Sequence, residues 1–440
     1  MTIYERYDDI RLVSPPAGRS INLVLTKRGL RLAQRMNLAS ELTSIAVEVK
    51  GRAVHQLTGP SLTQAYGRRG ECNYSVDRTA LNKFWLMRAE KEGCQFQFDH
   101  TLNCVQINRG GVLEFLRSDK TRVVVDVNQF HFVLACDGGG SVMRQCLSEA
   151  GLVKSSESLL ETGYKEVSFP AKVDGSYVLD PHSLHIWPRT EHLLMALANG
   201  DGSFTGTIYM DDFESVCKSE KSAREFLRAH YSSALSLVNE EAAIENLLDF
   251  KEGRLGTVRC EPWLAELDRI PVLLLGDAAH AIVPFFGQGV NCGFEDVLKL
   301  DELLDLTDGC LGTAMKGFEA IRKRDTDAIA DLALENFEEM RSKVGNSEFQ
   351  FLKKIDAFLM DYFPKIYRTR YTLVMYSSNS YFACKQFGEI QKDFLSILVR
   401  EFHLTEKSNL EVCLEKEQVQ RLIETHISPA VVELGICLDF

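Results

Sequence analysis

The residues best suited to chemistry in this 440-residue chain lie in one contiguous stretch. It reads Leu275-Gly276-Asp277-Ala278-Ala279-His280-Ala281-Ile282-Val283 and continues Pro284-Phe285-Phe286-Gly287-Gln288-Gly289-Val290-Asn291. The apolar run 271–275 has the length of a buried strand. It ends at Gly276, where backbone must come close to something else. Asp277 then sets an acceptor at the carboxyl end of that strand, where open α/β sheets take their ligands. Glycines at 287 and 289 open a loop, and Val290, Phe294, Val297 and Leu298 fall on one face of a following helix. The first turn of such a helix carries free N–H groups and a partial positive charge, so it suits an anion.

Other segments offer polar groups in a definite order. Cys136-Asp137-Gly138-Gly139-Gly140-Ser141-Val142-Met143-Arg144 follows an apolar run, and Ser75-Val76-Asp77-Arg78-Thr79-Ala80-Leu81-Asn82 opens a helical pattern. Taken alone, an Asp-Gly at a strand end is a common turn, and an arginine at a helix start is commonly a surface residue. Arg52 and Tyr66 pair a guanidinium fork with a phenol, a combination that fits the carboxylate of an amino acid. His185-Ile186-Trp187-Pro188-Arg189, Met195, Leu197 and Tyr209 fall in β-rich sequence, and Asn336 and Tyr381 in helical sequence.

In this order the segments resemble the FAD-dependent aromatic-ring hydroxylases. The stretch Gly18-Arg19-Ser20-Ile21-Asn22-Leu23 and the run Gly293-Phe294-Glu295-Asp296 narrow the resemblance to the branch that acts on L-kynurenine or a similar aromatic amino acid. It covers about Tyr4 to residue 390. It implies that Asp277 binds the ribityl chain of FAD, and that Gly287, Gln288, Gly289, Val290 and Asn291 face the flavin pyrimidine edge. Gly276, Arg78, Asp137, Gly138, Arg144, Arg19 and Glu5 complete the implied cofactor set, with Glu5 on the adenosine ribose. Arg52 and Tyr66 would take the substrate carboxylate. Met195, Leu197, Tyr209, Asn336, Tyr381, Pro284 and Phe285 would line the substrate pocket, with Pro284 also adjoining the flavin. NADPH would supply the electrons and O2 the oxygen atom inserted ortho to an aniline nitrogen. No acid–base side chain is required, and none is assigned as catalytic. His280 is read as structural in preference to catalytic.

The elements that must position these residues follow from periodicity. A helix is expected from near Thr26, another over 79–93, strands within 121–136, β-rich stretches over 164–212 with Asn199-Gly200-Asp201-Gly202 as a turn, and helices over 220–247, 290–305 and from 313 onward. Alternating strands and helices at both ends with an antiparallel sheet between them imply an α/β fold. Its expected parts are an FAD-binding Rossmann-like domain over 1–155, with a substrate-domain insertion near 45–72, and an antiparallel-sheet substrate domain over 156–254. The second part of the FAD-binding domain follows over 255–325, then a C-terminal helical region over 326–440. Such a domain normally opens with a strand and a G-x-G-x-x-G loop that seats the pyrophosphate. Here Ile3-Tyr4-Glu5 reads as the end of the next strand, so weakened FAD affinity and a less stable first domain are expected.

Composition narrows the function classes. With 45% hydrophobic and 25% charged residues the chain is that of a globular protein, and a net charge of −12 argues against nucleic acid as its main partner. The 12 cysteines form no C-x-x-C pair and no zinc spacing, so no metal is expected, and they read as buried, reduced thiols. No apolar stretch approaches the ~20 residues that span a bilayer. The sequence reads as cytosolic. The resemblance implies the mitochondrial outer membrane, for which residues 390–440 offer no apolar anchor. Three function readings stay open: an active hydroxylase, an impaired paralogue or incomplete gene product that binds an aromatic amino acid without FAD, and a hydroxylase of another aromatic acid.

Overall fold

A computed structural model describes residues 1–13, 22–68, 70–107, 110–343 and 347–438. Arg19 and the stretch 18–21 lie outside the described residues.

A seven-stranded sheet forms the largest layer. Its spatial order is Gly253–Glu261, Lys154–Phe169, Phe204–Met210, His192–Ala198, Ser183–Arg189, Gly51–Val54, Leu62–Ala65. Neighbours are antiparallel except Ser183–Arg189 and Gly51–Val54, which run parallel. The sheet thus takes in two strands from the 45–72 region and runs past residue 254 to Glu261.

Strand alternation sends its two faces to different environments. On Phe204–Met210, residues Thr205, Thr207 and Tyr209 face a large cavity. Phe204, Ile208 and Met210 enter a separate core with Leu227, Tyr231, Ile244 and Leu247. Those four come from the helices Glu220–Leu235 and Glu240–Asp249, which cover the sheet's reverse face.

The dinucleotide-type sheet is smaller. Val133–Ala135 pairs in parallel with Ile270–Leu274, which pairs antiparallel with Leu264–Leu267. Thr2–Tyr4 pairs in parallel with Gln95–Gln97 as a separate patch. Tyr4 stacks on Phe115 at 4.6 Å between ring centroids, joining this patch to the core around Val272 and Leu274. A third small sheet orders Leu23–Leu25, Asn73–Val76 and Val47–Val49.

Helices dominate from residue 311: Leu311–Glu338, Ser347–Tyr362, Arg370–Tyr376 and Tyr381–Glu401 bury Ile329, Leu359, Leu373 and Phe387 in one shared core. Cap residues explain several starts. Thr369 and Ser380 each accept a hydrogen bond from the amide three residues on. No helix among the described residues is long and apolar enough to cross a membrane.

Candidate functional site

The cavity, about 1140 Å³, lies between one face of the large sheet, the strand–turn–helix at 270–306 and the C-terminal helices. Its two ends are built differently.

At one end the strand Ile270–Leu274 delivers the chain to Gly276, whose φ of +61° and ψ of −139° favour glycine. A four-residue helical turn, Asp277–His280, follows. Pro284–Phe286 form a 3-10 turn closed by Gly287 at φ +65°, and the helix Gly289–Leu306 begins. Gly138, Gly276, Asp277, Pro284, Gly287, Gly289 and Val290 line the cavity, with Arg78 beside them. The Asp277 carboxylate accepts no hydrogen bond among the described residues. Desolvation in this deep recess raises its pKa, while His280 and Arg78 pull it down.

Gln288 and Asn291 are buried behind this wall. Asn291 donates from Nδ2 to the carbonyls of Val24 (2.7 Å) and Gly287 (2.8 Å) and accepts at Oδ1 from the Thr26 amide at 2.9 Å. It locks the glycine loop to the strand Leu23–Leu25. Gly29 makes room for it: a Cβ there would sit 2.3 Å from Asn291 Oδ1. Gln288 accepts from the Tyr381 hydroxyl at 2.8 Å.

Beneath the turn lies a buried network of charges. Asp296 Oδ2 accepts from His280 Nε2 at 2.6 Å and from the Gly276 amide at 3.2 Å, and its Oδ1 accepts from Arg322 Nε at 2.8 Å. Arg322 Nη1 also donates to Glu295 Oε2 at 2.8 Å, and Arg28 Nη1 donates to Glu295 Oε1 at 2.6 Å. Ion pairing with Asp296 raises the His280 pKa to about 10 against the opposing effect of burial. His280, Cys292 and Asp296 have metal-ligand atoms close together, but Arg322 donates to both Asp296 and the Cys292 sulfur, so a cation already fills this position.

At the other end the wall is the sheet. Arg52 donates from Nε to Gln64 Oε1 at 2.7 Å, and its terminal nitrogens make no hydrogen bond among the described residues. Tyr66, whose pKa burial pushes up to about 12, stacks on Tyr371 at 5.4 Å, and Tyr371 stacks on Phe286 at 5.9 Å. Met195, Leu197 and Tyr209 form the apolar floor. Tyr209 meets Phe285 at 5.1 Å, and Phe285 stacks on Phe337 at 4.2 Å. Asn336 donates from Nδ2 to the Phe285 carbonyl at 2.6 Å, fixing that turn from the helical side.

Several expected residues lie elsewhere. Tyr381 is not on the cavity wall: it is fully buried, its ring lies 3.9 Å from the Arg28 guanidinium, and it reaches the site only through Gln288. Asp137 does not line the cavity either; it accepts from Ser141 Oγ at 2.5 Å and from the Met143 amide at 3.0 Å, at the start of the helix Val142–Glu149. Arg144 is buried, donating to the carbonyls of Ala278 (2.7 Å) and Gly139 (2.6 Å). Glu5 sits just beyond its strand, accepting from the Tyr7 amide at 2.9 Å, away from the cavity. The thiols are less buried than expected: Cys260, Cys292 and Cys384 are buried, whereas Cys136 is exposed and lines the cavity. Sequence reading missed Gln64, Tyr371, Thr205 and Thr207. A period-2 count back from Tyr209 would have found both threonines.

A model of the FAD binding domain family matches residues 18–307. The fold is shared with solved flavin-dependent oxygenases. A 2-methyl-3-hydroxypyridine-5-carboxylic acid oxygenase superposes with a TM-score of 0.58 at 16% identity, over 78% of this chain and 85% of that one. PqsL of P. aeruginosa, in complex with 2-aminobenzoylacetate, gives 0.58 at 18% identity, over 77% of this chain and 89% of its own. The class defined by fold and site is therefore the FAD-binding aromatic monooxygenases.

The relatives narrow that class. Kynurenine 3-monooxygenase of Flavobacterium psychrophilum is 34% identical over 96% of this chain and 92% of its own length. The enzymes of the same name from Myxococcus xanthus and Candida albicans are each 34% identical, over 98% and 86% of this chain and 91% and 83% of their own. The chain belongs to the kynurenine 3-monooxygenase family. Family members from bacteria, which have no mitochondria, remove the basis for inferring a mitochondrial location from the resemblance.

Proposed function

We propose that this protein hydroxylates L-kynurenine to 3-hydroxykynurenine, consuming NADPH and O2 with FAD as its cofactor. The observation that carries this reading is that one cavity joins a glycine turn bearing the Asp277 carboxylate to Arg52, whose terminal nitrogens, like that carboxylate, make no hydrogen bond among the described residues. The residues fit FAD. Asp277 offers an unused acceptor for a ribityl hydroxyl, and the Gly287–Gly289 loop leads into a helix N-terminus that suits an anionic ring edge. Bound FAD would take electrons from NADPH and activate O2, which is the chemistry that the protein side chains themselves lack.

The protein's own residues bind and orient. Arg52 and Tyr66 clamp the substrate carboxylate by charge-assisted hydrogen bonds. Held at that end, the aromatic ring extends over Met195, Leu197 and Tyr209 toward the Phe285 turn and is fixed for reaction. The aromatic ladder Tyr371–Phe286 and Phe337–Phe285 excludes water from the reacting centre.

The test is NADPH oxidation and O2 uptake by the flavin-loaded protein with and without kynurenine. Kynurenine-stimulated oxidation yielding 3-hydroxykynurenine is expected, and replacing Arg52 by alanine should remove the stimulation. A protein that cannot be loaded with flavin, or one stimulated only by another aromatic acid, would refute the assignment.

A further inference from the structure

Asp277 stands on a turn too short to hold itself. The helical segment Asp277–His280 has four residues, its N-cap is Gly276, and no side chain caps it. An isolated turn of that length is unstable, because one or two backbone bonds do not offset the dihedral freedom lost. Its orientation must come from outside.

The ties are specific. Asp296 Oδ2 grips the chain on both sides of Asp277 at once: the Gly276 amide before it at 3.2 Å and the His280 ring after it at 2.6 Å. Arg144 Nη1 holds the Ala278 carbonyl at 2.7 Å, and Cys260 Sγ holds the Ala279 carbonyl at 3.2 Å. Trp263 packs against His280, with ring centroids 5.1 Å apart. Asp296 is itself fixed by Arg322. His280 is 5% exposed and does not line the cavity, so it cannot exchange protons with a ligand there directly.

We infer that His280 is a positioning residue of the flavin end: clasped by Asp296, it holds the Gly276–His280 turn in the one orientation that aims Asp277 into the cavity. This rests on the reading of that end as the FAD site. His280 contributes in two separable ways. Its Nε2–H ties down the turn, and its charge lies behind the surface on which an electron-rich ligand would rest. Glutamine supplies an amide N–H at a similar reach without the charge, and alanine supplies neither.

The experiment is a double-substitution cycle on the full chain, reading FAD dissociation constants from flavin fluorescence and midpoint potentials from spectroelectrochemistry. His280→Ala should weaken FAD binding about 10- to 100-fold, the size expected for losing a charge-assisted hydrogen bond. His280→Gln should recover most of that affinity while making the bound flavin harder to reduce, a shift that loss of packing alone would not produce. Asp277→Ala should weaken binding too, and adding His280→Ala to it should cost little more, because the orientation would then have nothing to present. Fully additive effects, or a His280→Ala protein with wild-type affinity and potential, would overturn the inference. The cycle needs no turnover. A protein that binds flavin but ignores kynurenine would refute the substrate assignment while the predicted coupling still stood.

Discussion

The two ends of the cavity solve the problem of rigidity in opposite ways. The turn-and-helix end spends its polar groups on itself. Asn291, Asp296 and Arg144 face inward and hold backbone, and Gln288 holds the Tyr381 hydroxyl, leaving Asp277 and the loop amides to meet a ligand. The sheet end is rigid because strands are rigid. Its floor is largely apolar, Arg52, Gln64, Thr205 and Thr207 are carried on strands, and the Arg52 terminal nitrogens make no hydrogen bond among the described residues. Damage at the first end should therefore appear as lost stability and lost cofactor. Damage at the second should appear as lost substrate on an intact protein.

The largest effect that would break this contrast is at Arg322. Arg322→Met would leave Asp296 and Glu295 short of a partner inside the protein, at a cost of about 3–5 kcal/mol. Denaturant unfolding should show it, and a loss below ~1 kcal/mol would mean that the network does not brace the site. Next comes Arg52→Ala, which should lower kcat/KM for kynurenine by roughly 100-fold, about 2.7 kcal/mol, with stability changed by less than ~0.5 kcal/mol. A large drop in melting temperature for this variant would erase the distinction between the ends. Gly29→Ala sharpens the comparison. It crowds Asn291, far from any substrate group, and should cost about 1–3 kcal/mol as overpacking, with flavin affinity falling before kynurenine affinity. Equilibrium titrations of both ligands would separate the two.

The gentlest effect is with pH. His280 has its pKa raised from 6.5 to about 10 by Asp296, so its contribution is complete below pH 6.5 and is lost as pH rises through about 10. The slope is at most about 1.4 kcal/mol per pH unit for one proton. On the reverse of the sheet His55 and His192 are shifted the other way, down to about 4, chiefly by desolvation. They favour the folded protein when neutral, and their contribution falls as pH drops from 6.5 toward 4. Unfolding curves across pH should show both limbs, and His280→Gln should flatten only the alkaline one.

The same contrast explains what could be read from the sequence. Gly276 and Gly287 were legible because their positive φ values demand glycine, and Asp277 and Gly289 fall with them within one short stretch. The braces were not legible. Asp296 lies well down the following helix, Arg322 lies on the next one, and their meeting is a property of helix packing. Tyr381 shows the same limit. A tyrosine beside the site can serve it from behind, through Gln288, and sequence order does not separate a wall from its support. At the sheet end Thr205, Thr207 and Tyr209 follow strand alternation, but nothing local ties them to Arg52 or Tyr371. The thiol expectation failed at Cys136 because an apolar run does not reveal that the strand ends at a cavity.

The parallel pairing of Gly51–Val54 with Ser183–Arg189 also bears on how the chain reaches this state. The strand that carries Arg52 is formed early in synthesis, yet its inner neighbour in the sheet emerges only after residue 183, and the opposite edge of that sheet only after residue 253. Closing such long loops before any contact rewards them makes folding slow. Until then the short hairpin of Gly51–Val54 and Leu62–Ala65 lacks its inner neighbour and presents an unpaired strand edge. The substrate end can therefore close only after strands far apart in the chain have met.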